Sequence, residues 1–467
     1  MTRHFACAVT TMLLASVGCV AGSRPGSAPP ATERAPRAAT LRAAESPTPP
    51  AATLRAAESP TPPAATLAPE SAPPTRAERE IAEVFEQVAV AHGLPRLGPV
   101  PSRVVSRDEG IKLIVAKTEE DIPRDVLAAQ GEMFAALELA PSDYPFVEGM
   151  FTQVKENIAG FYDPDEDAMF LLDDLDDASR ATTLAHELVH ALQDQHFDLG
   201  KQMTYRRGEL DRLTALSCLA EGDATAAMLD VTGVPRGALS VDNLRRSLVA
   251  SLALSPSGLT TPRALQASLI SPYVEGYRFV ESLRDRGGWD AVNRAWRDPP
   301  RSTEQILHLE RYEAREAPLA VPVPSARSLG GDMRLLDADV VGELGLRIAL
   351  EPWSSPPEAV AGAAGWGGDR YALYAKDGDA GRTLAFAWRI DFDDGAEARE
   401  AAKLVARRFP PCRERPGLGP LAWRITGATV VMVAGPFVRR ADGRVAAAPG
   451  ASCAAARRWL DELRPMP

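Results

Sequence analysis

The sequence predicts an α+β fold in two parts: a mostly helical domain over residues 75–320 that carries one β-hairpin, and a smaller α+β domain over residues 321–467. Residues 181–198 have the apolar spacing of an amphipathic helix, with Leu184, Leu188 and Leu192 on one stripe. The segment 158–172 has the pattern of strand, turn and strand, and several strand-like runs follow residue 370. Helices before residue 320 and strands after it therefore indicate two domains.

Residues 1–74 differ in composition from the rest of the chain. Thirteen of the 40 prolines lie between Pro25 and Pro74, and no aromatic residue lies between Phe5 and Phe85. The sequence of residues 38–50 is repeated at 51–63, and each copy offers a single leucine for packing. Such a segment cannot form a core, so we predict that residues 20–74 are a disordered, semi-extended Pro/Ala-rich repeat tether.

The first 19 residues are typical of a signal peptide. Arg3 and His4 precede an apolar run over residues 5–17, which is too short for the ~20 residues that a membrane span needs. The segment 16–19 resembles a bacterial lipobox, although Ser16 stands where leucine is usual, and Cys19 would carry the lipid. We expect an exported protein, either a cell-envelope lipoprotein (outer membrane or periplasm) attached to the membrane through a lipid anchor on Cys19 or a secreted protein.

The net charge restricts the kinds of binding partner to expect, and the cysteine content bears on the cellular compartment. The chain has 52 basic and 63 acidic side chains and a net charge of −11, which disfavours a nucleic-acid partner. Cys412 and Cys453 lie near the C-terminus and could form a disulfide in an oxidising compartment, the alternative being free buried thiols. Cys218 lies in an apolar helical run and is predicted to be a buried thiol.

The helix over residues 181–198 contains the motif His186-Glu187-Leu188-Val189-His190. Two histidines four positions apart lie ~6 Å apart along a helix and about 40° apart around it, so both imidazoles can reach one metal ion. Glu187 can then act as a general base on a water bound to that ion. The alternative is a helix with two solvated or core histidines.

A catalytic zinc ion needs a third protein ligand, and the sequence offers two main candidates. Glu221 lies in an apolar helical run, where a buried carboxylate needs a metal ion or an arginine such as Arg212 as its partner. His196 has the spacing of the third histidine in the metzincin pattern, but Gln193 replaces the glycine of that pattern. Because glutamine lets the helix continue and carries His196 away, Glu221 is the favoured ligand. Glu209, in a loop-like segment, is a weaker candidate.

The motif, followed by a glutamate on a later helix, resembles the gluzincin, or thermolysin-like, branch of the zincin-type zinc metallopeptidases. The resemblance implies a zincin-like fold for residues 75–320, Zn²⁺ as the cofactor and a peptide or protein as the substrate. It also implies His186, His190 and Glu221 as metal ligands, with Glu187 as the general base.

Two features depart from that branch. Glu221 follows His190 by 31 positions, which is further than in thermolysin-like enzymes, and Thr225 stands where those enzymes place an aspartate beside the ligands. A wider similarity, over residues 80–320, links the chain to uncharacterised bacterial exported proteins of the same class. It is carried by residues 159–164, 190–197 and 299–308.

The hairpin at 158–172 is predicted to turn at Asp163-Pro164-Asp165. In zincins an edge strand beside the active-site helix pairs with extended substrate, so the resemblance implies that role here; the alternative is a strand that only covers the core. Between Asp163 and Asp177 there are eight acidic residues and no basic one. A calcium site is therefore an alternative to solvated loop carboxylates and helix-start carboxylates.

Peptide hydrolysis also needs a hydrogen-bond donor for the developing oxyanion. His308, Tyr273 and Tyr277 are the candidates. Structural roles compete with this one, because one of the two tyrosines is expected to face the core and His308 follows a short helix whose C-terminus it could complement.

Residues 321–467 contain strand-like runs at 371–374, 384–388 and 428–433 and helical patterns near 343–350 and 396–407. They predict an antiparallel sheet, with no catalytic constellation, in an accessory domain. The whole pattern predicts a zinc metalloendopeptidase in the cell envelope or outside the cell. The alternative is a non-catalytic zincin-fold lipoprotein that binds a cell-envelope partner.

Overall fold

The structure is a computed structural model that describes residues 76–463. The predicted signal peptide, lipobox and tether lie outside these described residues. The predicted α+β class is confirmed, since long helices precede a separate large sheet. No helix within residues 76–463 is long and apolar enough to cross a membrane.

Helices dominate the chain before residue 320. They are α1 (Arg76–His92), α2 (Arg107–Asp121), α3 (Arg124–Ala136), α4 (Phe146–Asn157), α5 (Asp177–Phe197), α6 (Leu199–Gln202), α7 (Leu210–Val231), α8 (Val241–Leu254), α9 (Arg263–Arg297), α10 (Thr303–Leu307) and α11 (Leu309–Glu313). Within α9 the backbone leaves helical geometry at Gly287 and Gly288. The predicted helix over 181–198 corresponds to α5.

A three-stranded sheet lies beside α5. Its strands are β1 (Ser102–Val105), β2 (Gly160–Asp163) and β3 (Ala168–Leu172), in the order β1-β3-β2. β2 and β3 are antiparallel, with Tyr162 opposite Met169, so the predicted hairpin is confirmed. β2 is an edge strand, and all four of its residues are buried.

The central helices approach each other closely because glycines face each other where α7 crosses α9. A Cβ atom on Gly222 of α7 would lie 2.1 Å from the carbonyl carbon of Gly276 of α9. On another side α7 packs against α5. The three helices thus form the centre of the first part of the chain.

An antiparallel sheet dominates the chain after residue 333. Its strands are β4 (Arg334–Asp337), β5 (Trp366–Gly378), β6 (Gly381–Phe392), β7 (Cys412–Arg415), β8 (Gly419–Thr426), β9 (Thr429–Arg439) and β10 (Val445–Ala447). They lie in the order β4-β5-β6-β9-β8-β7, with β10 against β9. The helices of this part are α12 (Gly342–Leu350), α13 (Pro356–Ala363), α14 (Gly395–Arg408) and α15 (Cys453–Glu462).

The predicted strands and helices of this part are confirmed, and alternate strand residues face two cores. Leu373 and Phe386 belong to the large core shared with the first part of the chain, whereas Ala372 and Ala385 pack with Trp459 of α15. A disulfide between Cys412 and Cys453 joins β7 to α15, which confirms the predicted pair. Cys218 is buried and free, as expected.

A buried ion cluster connects the two parts around Glu275 of α9. Its carboxylate contacts Arg347 of α12 at 2.6 Å, Arg245 of α8 at 2.6 Å and Arg278 at 2.8 Å. Burial alone would raise the pKa of Glu275, but the three guanidinium groups outweigh it and lower this pKa to about 2. The cluster thus holds α9, the helix that carries Tyr273, against α12.

Candidate metal centre

Helix α5 places His186 and His190 one turn apart. The helix begins after Asp176, whose carboxylate accepts a hydrogen bond from the backbone of Ser179 at 2.9 Å. It continues without a break through Gln193 to its end at Phe197. Both histidines are 1% exposed, and their ring centroids lie 4.8 Å apart with the planes nearly perpendicular.

Helix α7 brings Glu221 to these two rings. The carboxylate is fully buried, and its Oε2 atom lies 3.2 Å from Nε2 of His186 and 3.8 Å from Nε2 of His190. The two Nε2 atoms are themselves 3.2 Å apart. Arg212, the alternative partner for Glu221, instead contacts Glu209 at 2.8 Å. The structure therefore brings together the three residues that the sequence favoured as ligands.

The spacing of the three atoms fits a tetrahedral zinc ion. Ligands at about 2.1 Å from such an ion lie roughly 3.4 Å from one another, close to the 3.2, 3.2 and 3.8 Å observed. The Oε1 atom of Glu221 is buried and has no hydrogen-bond partner among the described residues. Two imidazole nitrogens and one carboxylate oxygen form a donor set that suits Zn²⁺.

Burial keeps both imidazoles neutral. It lowers the pKa of His186 well below the usual range, an effect to which His190 adds, and it lowers the pKa of His190 to about 4. A metal ion binds the lone pair of a neutral imidazole, so this protonation state is the one that coordination requires.

The carboxyl group of Glu187 lies beside β2. Its Oε2 atom accepts a hydrogen bond from the backbone N–H of Tyr162 at 2.9 Å, and the side chain is buried. Burial raises the pKa of Glu187 well above its usual value, and the Tyr162 hydrogen bond opposes that shift. The pKa of Glu221 is raised in the same way, by burial first and then by the charge of Glu187. Two carboxylates in such a place call for a compensating cation.

A hydrogen-bond network lies on the Nδ1 side of His190. It contains four residues that the sequence did not assign to the site. Nδ1 of His190 lies 2.9 Å from Oε1 of Gln193, whose Nε2 donates to Asp223 at 3.0 Å. Asp223 also contacts Nε2 of His92 at 2.8 Å and Nε1 of Trp296 at 2.7 Å. The sequence contains one indication of this network, which is that Gln193 replaces the glycine of the metzincin pattern.

Thr225 occupies the position where thermolysin-like enzymes have an aspartate. It is fully buried, and its hydroxyl has no hydrogen-bond partner in the part of the chain that the structure describes. The nearby carboxylate comes instead from Asp223, two residues after Glu221, and it reaches His190 only through Gln193.

Tyr273 lies beside the histidine–glutamate group. Its ring centroid is 6.4 Å from that of His186, and a hydrogen bond from its side chain acts to lower the pKa of Glu221. Tyr277 donates its hydroxyl to the carbonyl of Leu239 at 3.2 Å. Of the two candidate tyrosines, the structure thus places Tyr273 with the group and gives Tyr277 another partner.

The two remaining histidine candidates have other partners. His308 follows α10, and its Nε2 and Nδ1 atoms lie 2.8 Å from Glu343 and 3.7 Å from Glu310. His196 is in the last turn of α5, where its Nε2 lies 2.7 Å from the carbonyl oxygen of Pro95. Neither residue belongs to the group formed by His186, His190 and Glu221.

The acidic segment between Asp163 and Asp177 contacts cations of the protein itself. Lys117 lies 3.6 Å from Asp163 and 3.1 Å from Asp165, and Arg107 lies 2.7 Å from Asp174. Together with the helix cap formed by Asp176, these contacts favour loop and helix-start carboxylates over a calcium site.

A cavity of about 260 Å³ lies between the two parts of the chain. Leu213 and Ser217, which precede Glu221 on α7, line it together with Pro272, the neighbour of Tyr273 on α9. None of its lining side chains is charged, so the cavity offers space for an apolar group but no acid, base or metal ligand.

Comparison with known proteins bears only on the second part of the chain. Residues 333–450 match a family described as a domain of unknown function (DUF8575). This match spans β4 to β10 and includes none of the residues of the candidate metal centre. No curated protein and no solved structure matches the chain.

Proposed function

We propose that this chain is a zinc metalloendopeptidase of the gluzincin type, in which His186, His190 and Glu221 hold the ion. The triangle of 3.2, 3.2 and 3.8 Å between one carboxylate oxygen and two neutral imidazole nitrogens carries the proposal. A hydrogen bond from Nε2 of His186 to Glu221 would still leave a buried carboxylate without a balancing charge, and a cation supplies that charge.

Glu187 is the proposed general base. Zinc bound at the triangle would lower the pKa of a coordinated water and polarise the scissile carbonyl. Burial raises the pKa of Glu187 well above its usual value, and a more basic carboxylate accepts a proton from water more readily before it delivers that proton to the leaving amine. The Tyr162 hydrogen bond holds this carboxyl group beside β2.

Tyr273 is the proposed donor to the developing oxyanion. A zincin-type site needs such a donor close to the metal ligands, and Tyr273 packs near His186 and contributes a hydrogen bond at Glu221. His308, another candidate that the sequence offered, has both ring nitrogens directed at carboxylates. The zincin-like fold is part of the same proposal. Its support is a buried HExxH helix, a ligand on a later helix and an edge strand beside the motif.

One observation favours the alternative of a non-catalytic binding lipoprotein. The side chains of His186, Glu187, His190 and Glu221 are all at most 2% exposed, so a peptide can reach them only after part of the structure opens. A protein that keeps the metal centre for stability and binds a cell-envelope partner elsewhere would have the same closed centre.

Metal analysis and cleavage assays on the purified full chain separate the two functions. The peptidase proposal expects about one zinc per chain and cleavage of casein or of a peptide library that stops with a chelator and returns with zinc. Zinc without cleavage under any condition would favour the binding protein. A chain that takes up no zinc would overturn the metal centre itself.

A further inference from the structure

We propose that Gln193 and Asp223 form a positioning relay that fixes the tautomer of His190, so that its Nε2 lone pair is free for the metal. The inference rests on the proposed zinc centre and adds residues to it from α1, α5, α7 and α9. It assigns a role to the glutamine that replaces the metzincin glycine.

The orientation of the Gln193 amide is fixed by its surroundings. Its Nε2 donates to the carbonyl oxygen of Ala220 at 3.1 Å and to Oδ2 of Asp223 at 3.0 Å. A carbonyl and a carboxylate accept hydrogen bonds and donate none, so the NH₂ group must point towards them. The amide oxygen therefore points the other way, at Nδ1 of His190, which lies 2.9 Å from it.

This orientation decides where His190 carries its proton. An amide oxygen only accepts, so Nδ1 of His190 must be the protonated nitrogen. A neutral imidazole has a single ring N–H, which leaves Nε2 with a lone pair. That Nε2 atom lies 3.2 Å from Nε2 of His186 and 3.8 Å from Oε2 of Glu221, on the metal side of the ring.

Asp223 is held by donors from separate parts of the chain. Oδ1 lies 2.8 Å from Nε2 of His92 on α1, and Oδ2 accepts from Nε1 of Trp296 on α9 at 2.7 Å. The carboxylate is fully buried, and the ring of His92 stacks on Trp289 with centroids 4.3 Å apart. Because Asp223 cannot turn without losing these donors, it keeps the Gln193 amide from flipping.

The first ligand lacks such a support. Nδ1 of His186 is buried and has no hydrogen-bond partner among residues 76–463. The relay is therefore specific to His190, and its loss should alter one ligand of the three.

Gln193→Met tests the relay, with Gln195→Met as the matched control. Methionine keeps the length and volume of the side chain but removes the acceptor for His190. Gln195 lies on the same helix and makes two hydrogen bonds of its own, to the backbone of Leu97 and Gly98, but it touches no ligand. In the full chain, zinc affinity measured by chelator competition should fall roughly 10- to 100-fold for Gln193→Met. It should stay at the parental value for Gln195→Met.

The ¹⁵N shifts of the His190 ring in the metal-free protein give a second readout that a general loss of packing would not produce. The parental chain should show a proton on Nδ1, and Gln193→Met a mixture of tautomers. Asp223→Leu provides a second test if the methionine variant does not fold. Leucine removes the carboxylate that accepts from the Gln193 NH₂ group, so the amide is no longer held against flipping and His190 should show a mixture of tautomers.

The outcomes distinguish the relay from the proposed function. Parental zinc affinity and an unchanged Nδ1 proton in either variant would overturn the relay while leaving the zinc centre intact. If the parental chain bound no zinc, the peptidase proposal would fail, but the ring shifts of His190 would still decide whether Gln193 sets its tautomer.

Discussion

Gly222 of α7 and Gly276 of α9 cross so closely that a Cβ atom on Gly222 would overlap the backbone of Gly276, at 2.1 Å from its carbonyl carbon. A side chain at Gly276 would clash as well, since a Cβ atom there would lie 1.9 Å from the carbonyl oxygen of Cys218. Glu221 immediately precedes one glycine, and Tyr273 lies three residues before the other. The crossing therefore sets the distance between the third proposed ligand and the proposed oxyanion donor.

Gly222→Ala should force the two helices apart. Overpacking of this kind costs about 1–3 kcal/mol, so we expect that loss in the free energy of unfolding measured with denaturant, together with weaker zinc binding. Gly331→Ala is the control, because a Cβ there meets nothing within 4 Å. Equal stability of the two variants would show that α7 and α9 can separate without cost.

The sequence predicted the elements that carry the site, but not the contacts that complete it. The helix α5, the hairpin of β2 and β3 and the sheet strands follow from local apolar spacing, which each segment displays by itself. The hydrogen-bond partners of Asp223 do not follow from local spacing. His92 lies 131 positions before it and Trp296 lies 73 positions after it, and nothing in a local pattern pairs them.

Glycine-rich segments are a second case in which the local sequence pattern does not predict the structure. The glycine-rich composition of residues 365–369 predicts a turn, but β5 begins at Trp366 and contains Gly367 and Gly368. The reason is a close approach rather than a turn, because a Cβ on Gly368 would lie 2.5 Å from the carbonyl oxygen of Leu319. A single sequence does not distinguish a glycine needed for packing from one needed for a turn.

Because of Glu275, the free energy of unfolding should depend on pH in the acid range. Its pKa falls from 4.5 to about 2 on folding because of three arginines, so its contribution is complete above pH 4.5 and is lost as the pH falls towards 2. A shift of this size corresponds to about 3 kcal/mol. Glu275→Gln should therefore lower the free energy of unfolding by about that amount at pH 7, and the difference from the parental chain should shrink between pH 4.5 and pH 2.

Glu313→Gln is the control for the Glu275 experiment. Glu313 forms an exposed ion pair with Arg286 at 3.8 Å, and such pairs contribute little to stability. Denaturant unfolding of all three proteins at several pH values provides the comparison. A Glu275→Gln penalty that stayed constant from pH 7 to pH 2 would show that the carboxylate is not the group that titrates.

Glu187→Gln should strongly slow hydrolysis while zinc and fold are retained. Glutamine still accepts the hydrogen bond from the Tyr162 backbone but cannot take a proton from water, so kcat/KM should fall by about 10²- to 10⁴-fold. Zinc per chain and thermal stability should remain near the parental values. Glu148→Gln, which changes an exposed carboxylate paired with Arg124, serves as the control. Cleavage by the Glu187 variant at the parental rate would show that this residue is not the base.

The ligand set is decided by comparing Glu221→Ala with His196→Ala. Glu221 contributes one corner of the triangle, so its loss should reduce zinc affinity by more than the roughly 10- to 100-fold typical of residues that only support a ligand. His196 should be dispensable, because α5 continues through Gln193 and directs its ring to the carbonyl of Pro95. Zinc per chain is measured in both variants after identical dialysis of the full chain. Zinc retained by Glu221→Ala but lost from His196→Ala would replace the gluzincin assignment with a three-histidine site, since only removal of a direct ligand opens the coordination sphere.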